Sequence, residues 1–237
     1  MPETDFSEIR DLIEAIPGEA CGGGQPEFLY RLSLQTVGWG DVVEIGTNAG
    51  RSAIALAYGQ KVKGGGPIYS IDLYEHPDIR RNLERAGVQE YVKRVVLPSH
   101  RAARGWDRPV ELLWIDGDHT WRGVSSDITQ WAHLLQPGGV IAFHDYPGHD
   151  RSCEVSKALR KHVFSDPARY RVLSDREAGS IIAFQRLAEA GRDSVGKRLS
   201  RRVYWHYRNA RTVLVRLSPG LAGRAARAFG QRTGGKP

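Results

Sequence analysis

Two short runs hold the side chains best suited to chemistry: Ile115-Asp116-Gly117-Asp118-His119 and Phe143-His144-Asp145. Each follows an apolar run, Leu112-Leu113-Trp114 in one case and Val140-Ile141-Ala142 in the other. Each therefore sits where a buried strand ends, in the crevice at which open α/β sheets bind their ligands. If the two strands are neighbours, Asp116, Asp118, His119, His144 and Asp145 converge in one pocket. That convergence of carboxylates and imidazoles falls in the crevice where such a fold binds its ligands. The plain alternative, for either histidine alone, is a side chain that caps a strand end and bonds to loop backbone.

The element that must position this cluster is Asp41–Ala57, DVVEIGTNAGRSAIALA. It reads as a buried strand (Val42, Val43, Ile45), a tight turn and a helix carrying Ser52, Ile54, Ala55 and Leu56. Gly46 lets the chain leave the strand sharply, and Gly50 permits close approach of a ligand or of the helix start. A helix N-terminus offers free amides to a polar or anionic group. Glu44 is aimed at the same crevice. Asp72 ends a second strand, Ile68–Asp72, at the distance that suits a carboxylate accepting from ribose hydroxyls. The turn is neither a dinucleotide fingerprint, since Asn48 and Arg51 occupy two of its glycine positions, nor a P-loop, since the spacing is short and Arg51 replaces lysine. What remains is Glu44-x-Gly46-x-x-x-Gly50 and a nucleotide-like ligand.

Further elements follow from periodicity. Residues 6–16 are expected to form an amphipathic helix, Gly22 to Gly24 a hinge, and Pro26 to Leu34 a second helix, either a lid or dimer contact or plain packing. A helix over 77–88 precedes a strand from Val92 to Leu97, with Ser99 in the loop after it. Thr120 to Leu135 is expected to be a helix with Val124, Ile128 and Trp131 inward. Pro137-Gly138-Gly139 ends it, and a strand runs from Val140. A helix over 152–163 leads to two strands, Tyr170–Leu173 and Ser180–Phe184, joined as a hairpin. The expected fold is α/β, Rossmann-like and doubly wound, with a mostly parallel seven-stranded sheet and an antiparallel last strand. It divides into N-terminal helices (1–38), a cofactor-binding domain (39–187) and a basic, amphipathic helical tail (188–237).

Charge is unevenly placed. Of 34 basic and 27 acidic residues, twelve basic and one acidic lie beyond residue 190, so that segment carries +11 and the rest −4. A mildly acidic body argues against a nucleic-acid groove across it. The tail repeats Val195, Leu199, Val203, Tyr207, Ala210 and Leu214 at helical spacing among arginines. Docking on the body or a second subunit, association with an anionic membrane, and disorder are its three readings. Two cysteines make no disulfide framework, and no run is long and apolar enough to span a membrane. The acidic start is unlike a secretory signal, so the expected location is cytoplasmic, with peripheral membrane contact through the tail as an option.

The segments VVEIGTNAGRSAIALA, IYSIDLY, ELLWIDGDHTWRGVSSDITQWAHLLQPGGVIAFHDY and GSIIAF, in this order, resemble class I S-adenosylmethionine-dependent methyltransferases, in particular the metal-dependent macrolide-sugar and related small-molecule O-methyltransferases. The resemblance covers residues 20–186. It implies cofactor contacts from Glu44, Gly46, Thr47, Gly50, Ser52, Asp72, Ser99 and Asp116. It implies a divalent ion, Mg²⁺ first and Mn²⁺ second, on Asp116, His144 and Asp145. His144 departs from the carboxylate found in some relatives, and imidazole suits Mn²⁺ or Zn²⁺ better than Mg²⁺. His144 is thus a ligand, a substrate contact or a base, and Asp118 is a further oxygen for the ion. His119 matches the family's general base.

The implied reaction is methyl transfer to a hydroxyl of a saccharide, such as a mannoside, or of a glycosylated natural product. The alternative is a nucleic-acid-directed methyltransferase that grips RNA with the tail. Amino-directed enzymes of this fold carry Asn/Asp-Pro-Pro-aromatic after strand four, where this chain has Asp116-Gly117-Asp118-His119. A non-catalytic cofactor-binding scaffold is the third reading. The expected partners are the acceptor and further copies of the chain, as a homodimer or higher oligomer, with no nucleic acid favoured.

Overall fold

The computed structural model describes residues 6–17, 21–146, 154–175 and 178–188. The expectations for the tail and for the start of the helix over 152–163 lie outside them.

Seven strands form one sheet: β1 (Asp41–Ile45), β2 (Ile68–Asp72), β3 (Val92–Val96), β4 (Val110–Ile115), β5 (Leu135–Phe143), β6 (Tyr170–Asp175) and β7 (Ile182–Arg186). Their order is β3-β2-β1-β4-β5-β7-β6. β1 to β5 pair in parallel, while β7 runs antiparallel to both β5 and β6. This is the expected doubly wound fold. Its chain reversal lies between β1 and β4, where such sheets bind ligands.

Alternation along the strands separates two cores. Val42, Leu112, Trp114 and Ala142 face one side. There they meet helices α1 (Ser7–Glu14), α2 (Gln25–Gln35) and α3 (Arg51–Lys63). Val43, Ile45, Leu113, Ile115, Ile141 and Phe143 face the other. That side is covered by α5 (Ser99–Arg104), α6 (Trp121–Trp131) and α7 (Val155–His162), whereas α4 (Ile79–Arg85), in the β2–β3 crossover, joins the first core through Ile79 and Leu83. Every residue of β4 is buried, as a central parallel strand requires.

The N-terminal helices belong to this body. α2 packs along α3, and α1 touches both. Arg51, at the start of α3, donates to the carbonyls of Ile13 (3.0 Å) and Glu14 (3.2 Å), which end α1. Ile13 O also accepts from Ile16 N (3.2 Å), and a cation at this helix end suits the helix dipole.

Several boundaries differ from expectation. α6 stops at Trp131 and not at Leu135, because Leu135 is already paired with Val110 in the sheet. The turn-forming Pro137 and Gly138 therefore lie inside β5, at an irregularity before Val140 pairs with Leu112. Ser99 begins a short helix instead of lying in a loop. Among the described residues no helix is long and apolar enough to cross a membrane.

Candidate active site

Strand register brings the chemistry together. Ile45, Ile115 and Phe143 stand level in neighbouring strands. The next residue of each chain, Gly46, Asp116 and His144, continues the ladder: Asp116 N donates to Ile45 O (2.8 Å) and His144 N to Ile115 O (3.1 Å). The two sequence runs thus leave the sheet side by side. Gly46 has φ +88°, and a Cβ there would lie 2.2 Å from the Asp116 carbonyl oxygen. Glycine is required both by that dihedral and by the crossing of β4.

A cleft of about 1280 Å³ opens at this edge. Pockets for one small ligand run to roughly 300–1,000 Å³, so the cleft has room for two molecules. One half lies under the β1–α3 turn and is lined by Gly46, Thr47, Ser52, Asp72, Ser99 and Asp127. The other half holds Gln25, Asp116, Asp118, His119, His144 and Asp145.

The second half is an ionisable cluster. His144 Nδ1 lies 3.0 Å from Asp116 Oδ1 and 3.2 Å from Asp145 Oδ1, yet it makes a hydrogen bond of good geometry with neither. Its Nε2 is 2.9 Å from Gln25 Oε1, and the Trp114 indole packs edge-on against its ring at 5.8 Å. His119 Nε2 lies 3.1 Å from Asp145 Oδ2 and 3.6 Å from Asp116 Oδ1. Side-chain exposure is 9% for His144 but 40% for His119. Burial alone pushes His144 down, but the Asp116 and Asp145 carboxylates outweigh it and hold the imidazole at about 10. The Asp116 carboxylate, with Asp145, also holds His119 above the ordinary imidazole value, against partial burial. Asp145 itself has φ +54°. This left-handed conformation is one that aspartate tolerates better than most residues, and such outliers gather at functional sites.

The donor set fits a divalent cation. Asp116, His144 and Asp145 each offer a ligand atom, and these atoms lie within 4.8 Å of one another. Two carboxylates neutralise a dication, and a buried imidazole nitrogen without a hydrogen bond supplies the third donor. Asp118 does not join them. Its oxygens accept from Thr120 N (2.8 Å) and Thr120 Oγ1 (2.9 Å), which shapes the entry to α6.

The cofactor half gives three of the expected residues a structural setting. Glu44 is fully buried beneath the turn and does not line the cleft. It accepts from Ser70 Oγ at 2.6 Å. Burial pushes its carboxyl up to about 7, against the hydroxyls of Ser52 and Ser70 and the charge of Arg94. The Thr47 hydroxyl turns inward, to Ser70 Oγ (2.5 Å) and Arg94 (2.7 Å), leaving its backbone to the cleft. At Gly50, a left-handed N-cap with φ +97°, an added Cβ would meet Ile79 Cδ1 at 2.4 Å, so both the dihedral and the neighbouring helix favour glycine.

Asp72 lines the cleft, and its Oδ2 accepts from the amides of Thr47 (2.8 Å) and Asn48 (3.0 Å). It holds the turn while retaining acceptor capacity for a bound hydroxyl. Ser99 lines the cleft in contact with the Asp127 carboxylate. Burial pushes Asp127 up to about 6, with the Ser99 hydroxyl opposing. Asp127 was legible in principle, as an acid on the inward face of α6 beside Val124 and Ile128. Gln25 left no signal, because nothing local ties residue 25 to residue 144.

Residues 43–146 match the family described as a methyltransferase domain. The matched stretch is similar to a methyltransferase domain and covers a little under half of this chain. The match spans the Gly46 turn, Asp72 and the whole acidic–imidazole cluster. An uncharacterized protein R132 of Acanthamoeba polyphaga mimivirus is 35% identical over 54 residues, covering 23% of this chain and 24% of that one. This chain therefore matches about a quarter of that relative's length. Among solved structures, cofactor-bound Rv0187 from MTB superposes with TM-score 0.58 at 23% identity, covering 78% of this chain and 90% of that one. An O-methyltransferase from Bacillus cereus in complex with SAH gives TM-score 0.57 at 23% identity, covering 76% and 90%. At these identities the two structures speak for the fold alone.

Proposed function

We propose that the methyltransferase domain transfers the methyl group of S-adenosylmethionine to a hydroxyl of a saccharide or glycosylated small molecule, assisted by a divalent cation and a histidine. One observation carries this reading: the largely buried set Asp116, His144 and Asp145 meets the more exposed His119 in the lining of the cleft. The structural neighbour from Bacillus cereus, an O-methyltransferase in complex with SAH, supports the choice of donor and of oxygen as acceptor.

The roles of this chain's residues follow from exposure and geometry. Asp72 receives the polar end of the donor, beside the Gly46–Gly50 turn whose Thr47 and Asn48 amides it holds. Asp116, His144 and Asp145 would hold the cation, which supplies a positive charge that lowers the pKa of a nearby hydroxyl. His144 has one nitrogen at Gln25 and the other between carboxylates, so it has none left for an acceptor. His119 takes the proton. Arriving at Nε2, it is stabilised by Asp145 Oδ2 at 3.1 Å and Asp116 Oδ1 at 3.6 Å. The acceptor oxygen must therefore sit beside His119, in line with the methyl donor.

Calorimetric titration with S-adenosylhomocysteine, followed by labelled-methyl transfer to a saccharide panel with Mn²⁺ or Mg²⁺, tests the proposal. Transfer to sugar hydroxyls that a chelator abolishes and added metal restores is the expected result. Transfer insensitive to the chelator overturns the metal assignment, and failure to bind S-adenosylhomocysteine overturns the whole reading.

A further inference from the structure

The geometry points to Gln25 as a positioning residue that sets the tautomer of His144 and so readies Nδ1 to bind a metal ion. This inference rests on the metal reading above. Gln25 is the first residue of α2 and lies 119 residues from His144 in sequence. Its amide bridges two other segments of the site: Oε1 faces His144 Nε2 at 2.9 Å, and Nε2 donates to Ser180 Oγ at 3.0 Å.

An amide oxygen can only accept. With Oε1 facing the ring, His144 Nε2 carries the hydrogen, and the neutral imidazole presents a lone pair at Nδ1. That nitrogen lies beside Asp116 Oδ1 and Asp145 Oδ1, buried and without a hydrogen bond. Metal-binding histidines generally donate their second N–H to an oxygen in this way, which fixes the ring and raises its basicity. Turned over, the same amide would donate to Nε2 and place the hydrogen on Nδ1, where an ion would have to go. The side chain is held in place by its backbone as well: Gln25 N donates to Gly22 O (3.3 Å), and α2 packs along α3. The N-terminal helical segment is thereby a working part of the site and not only one wall of the cleft.

The test uses the full chain and Mn²⁺ alone, titrated by electron paramagnetic resonance, with no donor or acceptor present. Gln25→Leu removes the acceptor and should weaken Mn²⁺ binding about 10–100-fold, the usual effect of losing such a partner. Gln25→Glu keeps an oxygen at the same place and should bind Mn²⁺ at least as tightly as the wild type. Nitrogen-15 spectra of the metal-free wild type at high pH should show hydrogen on Nε2 of His144. Circular dichroism and the thermal midpoint establish that each variant is folded. Wild-type affinity in folded Gln25→Leu, equal weakening in Gln25→Glu, or hydrogen on Nδ1 in the neutral ring each overturns the role of Gln25 alone. A wild-type chain that binds no Mn²⁺ overturns the metal reading and this inference with it.

Discussion

His119 and His144 lie in two similar sequence runs, and accessibility separates the roles proposed for them. His144 is 9% exposed, with Nε2 at Gln25 and Nδ1 facing two carboxylates, while His119 is 40% exposed over the cleft. A base must meet its substrate, whereas a ligand need not. His119→Asn should therefore cut turnover by about 10²–10⁴-fold, the usual worth of a positioned base, with S-adenosylhomocysteine affinity unchanged by calorimetry. Loss of cofactor binding would instead assign His119 to the cofactor half.

Glu44 makes a prediction of opposite character, because it concerns stability. Its carboxyl titrates near 7 in the folded chain against an ordinary value of 4.5. A raised carboxyl favours the folded state fully below 4.5, and that contribution is lost as the pH rises towards 7. Glu44→Gln should accordingly stabilise the domain by on the order of 2–3 kcal/mol at pH 8. The gain should disappear near pH 4. Urea unfolding of the two proteins at both pH values checks this.

At the scale of elements, the site is made by where β1, β4 and β5 stop. Their level ends place Gly46, Asp116 and His144 in one row, and the Gly46 turn has no room for a side chain. Gly46→Ala should destabilise the domain by more than about 2 kcal/mol, since it combines a left-handed dihedral with a backbone clash. It should also weaken Mn²⁺ binding, because the atom displaced is the Asp116 carbonyl oxygen. Denaturant midpoints and the metal titration measure the two effects. The strands and long helices were readable from apolar runs and periodicity. The ends of α6 and β5 were not, because pairing of Leu135 with Val110 overrides the turn-forming Pro137 and Gly138.

At the scale of the molecule, the chain joins an acidic body to a segment beyond residue 190 that carries +11. We propose that this segment serves self-association or contact with an anionic membrane surface, and not cofactor binding. Removing residues 191–237 should leave S-adenosylhomocysteine affinity within about twofold. It should reduce co-sedimentation with anionic vesicles or change the mass seen by light scattering, through loss of about 1 kcal/mol of attraction per basic residue near such a surface. A large loss of cofactor affinity would place the segment at the active site.

By itself, the sequence determined the sheet, its alternation of strand and helix, the Gly46 turn, and the placing of Asp116, His119, His144 and Asp145 at strand ends. All of these follow from local signals: apolar runs, glycine dihedrals and the period of a helix. Only the tertiary structure decided what those side chains do there. It buried Glu44 beneath the turn and tied Asp118 to the start of α6. It brought Asp127 to Ser99 and set Gln25 against His144. Accessibility, pKa and tautomer depend on neighbours supplied by distant segments, and a strand's own residues carry no record of which helix will cover them.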